Sequence, residues 1–308
     1  MNELVVLFGG GGFVGRYVAQ ELLRGGARVR IAERDPLDAF FLKPLAALGQ
    51  AQSVRADITK LETVERAVAG ADVVINLVGV LKGRFEDLHV TGAANVAKAS
   101  AAAGVRRLVH VSAIGADPVA APNYARTKGE GEAAVRAAFP NATIVRPSVI
   151  FGPEDDFVNR FAGLISRLPY VPVIRAKTRF QPVWVVDVAK AVAKAALTPV
   201  GEGRTFELGG PQALSMLDLH KWIADAIAHH PGFVEVPDVA AAAMARFGFL
   251  PLAPLTWDQW LMLQHDNVVG KGGKTFADLG IEPAPLAAVA PKWLVRYRTH
   301  GRFSLNAA

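Results

Sequence analysis

Four consecutive glycines, from Gly9 to Gly12, follow the unbroken apolar run Leu4–Phe8 and precede a segment with the pattern of a helix. A short apolar run bounded by glycine is typical of a strand that is buried on both faces of a parallel sheet. Glycines at the first strand-to-helix turn let the backbone bend tightly and approach a pyrophosphate at the helix N-terminus. With Gly15, the run satisfies two spacings at once. Gly10 and Gly12 complete G-x-G-x-x-G with it, and Gly9 and Gly12 complete G-x-x-G-x-x-G. The turn therefore predicts a dinucleotide-binding site.

Apolar runs alternate with helical patterns over residues 1–150. The helix after the glycines is predicted over Phe13–Arg24, and the next two residues, both glycine, end it. Five further strands are predicted at Val29–Ala32, Ala51–Arg55, Val73–Leu77, Arg107–Ser112 and Ala142–Val145. Strands separated by helices in this order predict an α/β fold with a doubly wound parallel sheet of the Rossmann type.

The pattern becomes less regular after Pro147, where prolines and glycines separate shorter elements. Residues 1–150 are therefore predicted to form an NAD(P)-binding Rossmann domain. Residues 151–308 are predicted to form a smaller α/β C-terminal lobe for a substrate or partner, interleaved with the first domain because no flexible linker separates them. In this lobe, Thr256 and Gln259 have the spacing of a capping box, with Leu255 and Trp260 placed as a hydrophobic staple.

Composition excludes several classes of function. The chain has no cysteine, which excludes disulfides, a thiolate nucleophile and cysteine-ligated metals. The 7 histidines show no metal-ligand spacing, so no metal site is expected. The net charge is +6, but the positive residues are spread along the chain, so nucleic acid is not an expected partner. The longest run without a charged residue is far shorter than the roughly 20 residues of a membrane-spanning helix, and a cytoplasmic location is expected.

Two positions after the second and third strands bear on the adenosine half of a nucleotide. Glu33 ends the second strand, where an acidic side chain accepts hydrogen bonds from a ribose and disfavours a 2′-phosphate. The guanidinium of Arg34 can instead pair with that phosphate or stack on adenine, so NAD and NADP both stay open. The alternative is an exposed ion pair at the strand end. Asp57 and Ile58 are placed to cover the adenine, although a helix-capping role for Asp57 is a competing interpretation.

A candidate catalytic set follows the fifth strand. Tyr124 and Lys128 stand on one face of a helix predicted over residues 123–138, and Ser112 ends the preceding strand, facing the nicotinamide end of a cofactor laid across the sheet. Hydride transfer requires a group that supplies or removes a proton, and a phenol ordinarily titrates near ~10. The charges of Lys128 and an oxidised nicotinamide are expected to lower the pKa of Tyr124. Ser112 would hold the substrate oxygen and Lys128 the nicotinamide ribose. The alternative is a half-buried tyrosine and a solvated lysine.

Seven ordered motifs resemble an extended or atypical short-chain dehydrogenase/reductase of the epimerase/dehydratase-like kind. They are Gly9-x-x-Gly12-x-x-Gly15, Asp57-Ile58, Asn76-Leu77-Val78-Gly79, Val111-Ser112-Ala113, Tyr124-x-x-x-Lys128, Arg146-Pro147-Ser148-Val149-Ile150-Phe151-Gly152 and Val185-Val186-Asp187-Val188-Ala189. The resemblance implies a bound NADP(H) or NAD(H) and hydride transfer. It places the cofactor contacts at Gly9, Gly12, Phe13, Val14, Gly15, Glu33, Arg34, Asp57, Ile58, Leu77, Val78, Gly79, Tyr124, Lys128, Pro147, Ser148 and Ile150.

Four segments resemble, within this superfamily, the branch that contains the nucleotide-binding accessory subunit of mitochondrial complex I and its bacterial relatives. They are residues 111–117, 124–128, 151–157 and 264–269. In that branch a nucleotide is often held tightly without established turnover, and NADP-binding members usually carry a neutral residue where this chain has Glu33. Three hypotheses follow: an oxidoreductase for a small or lipid-like carbonyl compound, a structural or assembly protein of respiratory complex I, and an accessory protein of quinone biosynthesis.

The C-terminal segment Lys292–Arg298, with Arg302, interleaves aromatic and positively charged residues. Such a pattern docks on anionic headgroups or on an acidic partner surface. A helix that packs its aromatic residues on the second lobe is the alternative. The resemblance implies a nicotinamide dinucleotide and complex I subunits as partners, and the C-terminal pattern adds peripheral contact with the inner face of the cytoplasmic membrane.

Overall fold

The computed structural model describes residues 3–248, 255–301 and 303, so Arg302 lies outside the described residues. The chain forms two compact units. The first comprises Met1–Pro147, Val185–Leu208 and Gly270–Glu282, and the second comprises Ser148–Trp184, Gly209–Val269 and Pro283–Ala308. The chain thus returns twice to the first unit after the boundary predicted near residue 150.

The strands are numbered in chain order. They are β1 (Leu4–Phe8), β2 (Arg28–Glu33), β3 (Ala51–Arg55), β4 (Val73–Asn76), β5 (Arg107–Val111), β6 (Thr143–Pro147), β7 (Ile150–Phe151), β8 (Tyr170–Ile174), β9 (Arg179–Phe180), β10 (Val183–Trp184), β11 (Thr205–Leu208), β12 (Leu214–Ser215) and β13 (Gly232–Val236).

The α-helices are numbered in the same way. They are α1 (Phe13–Arg24), α2 (Leu61–Val68), α3 (Gly92–Ala102), α4 (Asn123–Ala138), α5 (Val158–Ile165), α6 (Val185–Leu197), α7 (Met216–Ile227), α8 (Asp238–Arg246), α9 (Trp257–Met262), α10 (Leu286–Val289) and α11 (Pro291–Leu294). A π-helical turn, Glu86–Thr91, leads directly into α3.

The first unit is built on a seven-stranded sheet in the order β11-β6-β5-β4-β1-β2-β3, and every pairing in it is parallel. Alternate strand residues face opposite sides. Val6, Phe8 and Leu108 pack with α2, α3 and α4 in one buried core, whereas α1 and α6 contact each other on the other side. Each buried side chain of this size contributes about 1.5–3 kcal/mol, so the central strands anchor the unit. This is the predicted Rossmann-type, doubly wound fold.

The predicted elements of the first half are confirmed to within two residues, and two features differ. The connection between β2 and β3 is a 3-10 helix, Pro36–Leu45, rather than an α-helix. Pro44 lies inside it and has no N–H for a helical hydrogen bond. The edge strand β11 was missed because four residues between glycine-rich turns carry too short an alternation to be recognised.

The second unit contains three two-stranded sheets, β7 with β10, β9 with β12 and β8 with β13. The predicted capping box is confirmed, because the Thr256 hydroxyl accepts the N–H of Gln259 and the Gln259 side chain accepts the N–H of Thr256. Leu255 and Trp260 are both buried in the same apolar cluster, as the predicted staple requires.

The contact between α4 and the π-helical turn depends on Gly131. A Cβ at this position would collide with the carbonyl oxygen of His89. We expect Gly131→Ala to lower the free energy of unfolding by about 1–3 kcal/mol, because backbone must move to admit one methyl group. The matched control is Gly163→Ala in α5, where the new Cβ would lie 3.8 Å from the nearest atom, on Tyr297. There, a gain of about 0.5–1 kcal/mol is expected from helix propensity. Urea unfolding measures both, and equal changes in the two variants would contradict the close contact.

Candidate functional site

The glycine turn joins β1 to α1 through a backbone contact that leaves no room for side chains. A Cβ at Gly15 would collide with the carbonyl oxygen of Gly9, and a Cβ at Gly10 would lie 2.7 Å from the Ile31 side chain. Gly12 is the N-cap of α1 and offers no side chain to its first N–H groups. The first turn of α1 also has no acidic residue. The helix N-terminus is therefore a cradle for a phosphate, and Phe13 and Val14 lie in its first turn.

The Glu33 carboxylate folds back onto the glycine turn. Its Oε1 accepts the N–H of Gly11 at 2.7 Å. Burial raises the pKa of Glu33 and outweighs the hydrogen bond from Gly11, which lowers it. Arg34 is exposed and acts on both Glu33 and Asp57 as a nearby positive charge. The structure thus brings Glu33 and Arg34 to the edge of the cradle, and one carboxylate oxygen already has a partner in the protein.

Asp57 caps the turn after β3, whereas Ile58 belongs to the core. The N–H and hydroxyl of Thr59 both donate to Asp57 Oδ1, at 3.0 and 2.8 Å. Partial burial would raise the pKa of Asp57, but these bonds and nearby cations hold it below its usual value. Ile58 is 4% exposed and packs so closely on Gly92 that no side chain fits there. Adenine contacts of these two residues stay a prediction.

The loop after β4 lies between the glycine turn and Lys128. The Leu77 N–H donates to the carbonyl oxygen of Phe8, and a Cβ on Gly9 would lie 3.4 Å from Val78. A Cβ on Gly79 would lie 3.0 Å from Lys128 Nζ. Because β4 neighbours β1 on the side away from β2, this loop flanks the half of a dinucleotide that lies opposite the adenosine.

Lys128 is buried against the end of β5. Its Nζ donates to the Val111 carbonyl oxygen at 3.1 Å, and the residue is 4% exposed. Burial lowers the pKa of Lys128 to about 8, although Glu132, one turn further along α4, opposes the shift. Ser112 follows Val111 directly and is also 4% exposed, yet its hydroxyl has no hydrogen-bond partner among the described residues. A buried hydroxyl without a partner costs about 1–3 kcal/mol, which favours a ligand group in contact with it.

Tyr124 lies one turn before Lys128 on α4, between two other rings. The rings of His89 and Phe85 meet it edge-to-face, with centroids at 5.5 and 6.2 Å. The residue is only half-buried by exposed area, but the protein packed around the phenol raises its pKa to about 12. The sequence predicted that Lys128 and an oxidised nicotinamide together lower this pKa; in the protein alone, desolvation raises it.

The last predicted residues fall in different units. Pro147 ends β6 in the first unit, and its carbonyl oxygen accepts the N–H of Ile114 at 3.1 Å. Ser148 and Ile150 belong to the second unit, where the Ser148 hydroxyl lies 2.7 Å from the side-chain oxygen of Asn267 and Ile150 pairs with Val183. Nucleotide contacts of Ser148 and Ile150 stay predictions.

Two buried histidines close to Lys128 were missed by the sequence interpretation. His110 is 2% exposed and binds Asn76 on the neighbouring strand, with Nδ1 3.2 Å from the amide nitrogen. Burial, and then the charge of Lys128, lowers the pKa of both His110 and His89 to about 3. Polar residues at the ends of otherwise apolar strands, such as Asn76 and His110, were the available signal.

Among the described residues, no group of three or more His, Cys, Asp or Glu side chains is arranged to hold a metal ion. No helix in the same part of the chain is long and apolar enough to cross a membrane.

The low pKa of Lys128 leads to a stability prediction. We expect Lys128→Met to raise the free energy of unfolding at pH 7 by about 1–3 kcal/mol, because folding no longer buries an ammonium group. Between pH 8 and the ordinary lysine value of 10.5, only the unfolded wild type binds this proton, so wild-type stability rises with pH and the difference shrinks. Chemical unfolding of the variant and the wild type from pH 7 to 10.5 measures this difference in stability. The control is Lys98→Met, because Lys98 is an exposed lysine of α3. A pH-independent difference would contradict the assignment.

Comparisons with known proteins identify the family. A model of NAD(P)H-binding proteins matches residues 9–158. The chain is 33% identical over 316 residues to the NADH-ubiquinone oxidoreductase 40 kDa subunit of Neurospora crassa, covering 100% of this chain and 83% of that protein. It is 35% identical over 202 residues to a ceramide reductase of Caulobacter vibrioides, covering 64% and 62%. An NADPH-dependent quinone oxidoreductase from Escherichia coli, solved with NADPH, has the same fold, with a TM-score of 0.78 at 19% identity over 94% of this chain and 99% of that one. The chain belongs to the NAD(P)H-binding family that includes this 40 kDa subunit of complex I.

Proposed function

We propose that the protein is an NAD(P)H-dependent oxidoreductase that reduces a carbonyl group, with Ser112, Tyr124 and Lys128 as its catalytic residues. One observation carries the proposal. The Ser112 hydroxyl is buried with no partner in the described part of the chain, directly after Val111, whose carbonyl oxygen accepts from the Lys128 ammonium. A fold optimised only for stability would not leave a buried donor unpaired beside a buried cation.

The residues have separate tasks in this reaction. Bound NAD(P)H supplies the hydride that reduces the carbonyl carbon. The Ser112 hydroxyl donates a hydrogen bond to the carbonyl oxygen and holds it in place. The Tyr124 phenol then gives its proton to that oxygen, which completes an alcohol. A phenol with a pKa of about 12 is protonated at neutral pH, as the reduction direction requires. The Lys128 ammonium, present below about pH 8, stabilises the phenolate that the proton transfer leaves.

The substrate class is supported by likeness alone. The ceramide reductase relative acts, by its name, on a lipid, and its 202 aligned residues are 35% identical to this chain. We infer a lipid-like carbonyl compound as the substrate, with a small carbonyl compound as the simpler variant of the same chemistry.

The first test is Tyr124→Phe, which removes only the hydroxyl that donates the proton. We expect turnover of a carbonyl-bearing ceramide or a short-chain quinone, followed by loss of NADPH or NADH absorbance, to fall at least 100-fold. Nucleotide affinity, measured by fluorescence, is expected to stay within about twofold. Tyr170→Phe is the control, because Tyr170 lies in the second unit and is 70% exposed. Turnover that survives in Tyr124→Phe would remove the proposed proton donor.

A second candidate function is a structural or assembly role in respiratory complex I with a tightly held nucleotide. The similarity to the 40 kDa subunit spans both units, which favours a shared partner as well as a shared cofactor. A cytoplasmic location with peripheral contact at the membrane would suit this role. The C-terminal segment Lys292–Arg298 lends little support to membrane contact, because two of its arginines bind the protein itself. Arg296 donates to the Pro153 carbonyl oxygen, and Arg298 donates to the Ala226 carbonyl oxygen.

The two functions differ in what happens to the nucleotide. In the structural role, the purified protein is expected to release one nucleotide only on denaturation, identified by mass spectrometry, and complex I subunits are expected to co-purify with it at low salt. Added nucleotide at 100 times Kd would raise the free energy of unfolding of the emptied protein by about 2.7 kcal/mol. Protein isolated without nucleotide and without complex I subunits would count against this role and leave the reductase as the better account.

A further inference from the structure

His89 connects three elements around the proposed catalytic set and is 1% exposed. Its Nε2 accepts the N–H of Val80, in the loop after β4, at 3.1 Å. Its Nδ1 lies 3.0 Å from the Thr127 hydroxyl, on α4. The Thr127 hydroxyl in turn lies 2.8 Å from the Asn123 carbonyl oxygen, to which it can only donate. His89 itself belongs to the π-helical turn before α3.

The directions of these hydrogen bonds are fixed. Because Val80 N–H can only donate, Nε2 carries no proton and Nδ1 carries the one that the ring has. The Thr127 hydroxyl donates its proton to the Asn123 carbonyl oxygen, so the Thr127 oxygen accepts the N–H of His89 Nδ1. Burial keeps the ring neutral by lowering the pKa of His89 to about 3. The chain of bonds is therefore the same throughout the neutral pH range, and protonation of Nε2 would break it at Val80.

The same imidazole also holds the ring of Tyr124. The two rings meet at 87°, and Phe85 packs on His89 at 5.4 Å and on Tyr124 at 6.2 Å. On the backbone side, Gly131 allows α4 to approach the His89 carbonyl oxygen with no side chain between them. Tyr124 therefore has two aromatic neighbours whose own positions depend on the turn that carries His89.

The bond to Val80 also sets the separation of the loop and Lys128. Gly79 precedes Val80, and a Cβ there would lie 3.0 Å from Lys128 Nζ. A loop freed from His89 could move away from the ammonium or onto it. Either movement changes the space in which a nicotinamide and its ribose would lie.

We propose that His89 is a positioning residue that fixes the Tyr124 ring on α4 and holds the Val80 loop at a set distance from that helix, and thereby shapes the nicotinamide half of the nucleotide site. The inference rests on the proposed function, because it requires that the site bind a dinucleotide. It adds a residue that touches neither the reacting atoms nor the adenosine half. Its effect is accordingly confined to ligands that carry a nicotinamide.

The test compares whole dinucleotides with their halves. Dissociation constants are measured calorimetrically for NADPH against 2′-phospho-ADP-ribose, and for NADH against ADP-ribose, which lack the nicotinamide. His89→Phe keeps a ring against Tyr124 but removes both hydrogen bonds. Thr127→Val removes the hydroxyl that accepts from His89 and donates to the Asn123 carbonyl oxygen, and Thr127→Ser keeps that hydroxyl. His220→Phe is the matched control, since His220 is likewise buried, at 2% exposed, and packs on two phenylalanine rings, but lies in the second unit.

We expect His89→Phe to weaken binding of the dinucleotide that the wild type prefers by about tenfold. Thr127→Val is expected to weaken the same binding by about three- to tenfold. The matching half ligand is expected to change by less than twofold. Thr127→Ser is expected to keep wild-type affinity, and His220→Phe is expected to leave the affinity for both ligands unchanged. Equal weakening of dinucleotide and half ligand, or no weakening, would overturn the role of His89. A wild type that binds no dinucleotide would instead overturn the proposed function. Thr127→Val decides the matter if His89→Phe does not fold.

Discussion

The contact between the backbone of Gly9 and that of Gly15 determines where the other candidate site residues of the first unit lie relative to a bound nucleotide. It brings the N-terminus of α1 directly onto the end of the central strand β1, where side chains would otherwise stand. The sheet order then places β2 on one side of β1 and β4 on the other. A dinucleotide bound at this helix end must extend across both neighbours, so its two halves meet different residues. Glu33 and Arg34 stand on one side, and the loop that faces Lys128 stands on the other.

The side of the site that contains Tyr124 and Lys128 is built from groups that are costly to bury. The pKa of Lys128 is lowered to about 8, and the pKa of the Tyr124 phenol is raised to about 12. The pKa values of His89 and His110 are both lowered to about 3, so these rings are neutral at neutral pH. Desolvation is the first cause in every case. Such groups lower the stability of a fold and are retained where a site needs them. The protein therefore carries, in one layer between the sheet and α4, one ammonium and several neutral donors and acceptors.

The sequence predicted the parts of this arrangement that depend on local pattern. The glycine turn, the six strands of the first half and the bounds of α4 follow from apolar periodicity and from residues with special backbone properties. The 3-10 helix between β2 and β3 did not, since the effect of Pro44 on an otherwise helical pattern is settled by packing. His89 was also missed, because its importance lies in two hydrogen bonds to residues that are 9 and 38 positions away. The raised pKa of Tyr124 in the protein alone was missed as well, because a sequence shows nearby charges but not the loss of solvent.

The two proposed functions require the same nucleotide binding at this site before any reaction takes place. In both, a nucleotide held at the N-terminus of α1 would reach the polar groups around Lys128, and such contacts would favour the bound state whether or not a substrate follows. Under the two proposals, tight retention and hydride transfer would be successive uses of the same polar groups, and loss of the reaction would not by itself loosen the nucleotide. One family could in this way contain both reductases and subunits of a larger assembly, because the ligand that stabilises the fold would also be the reagent.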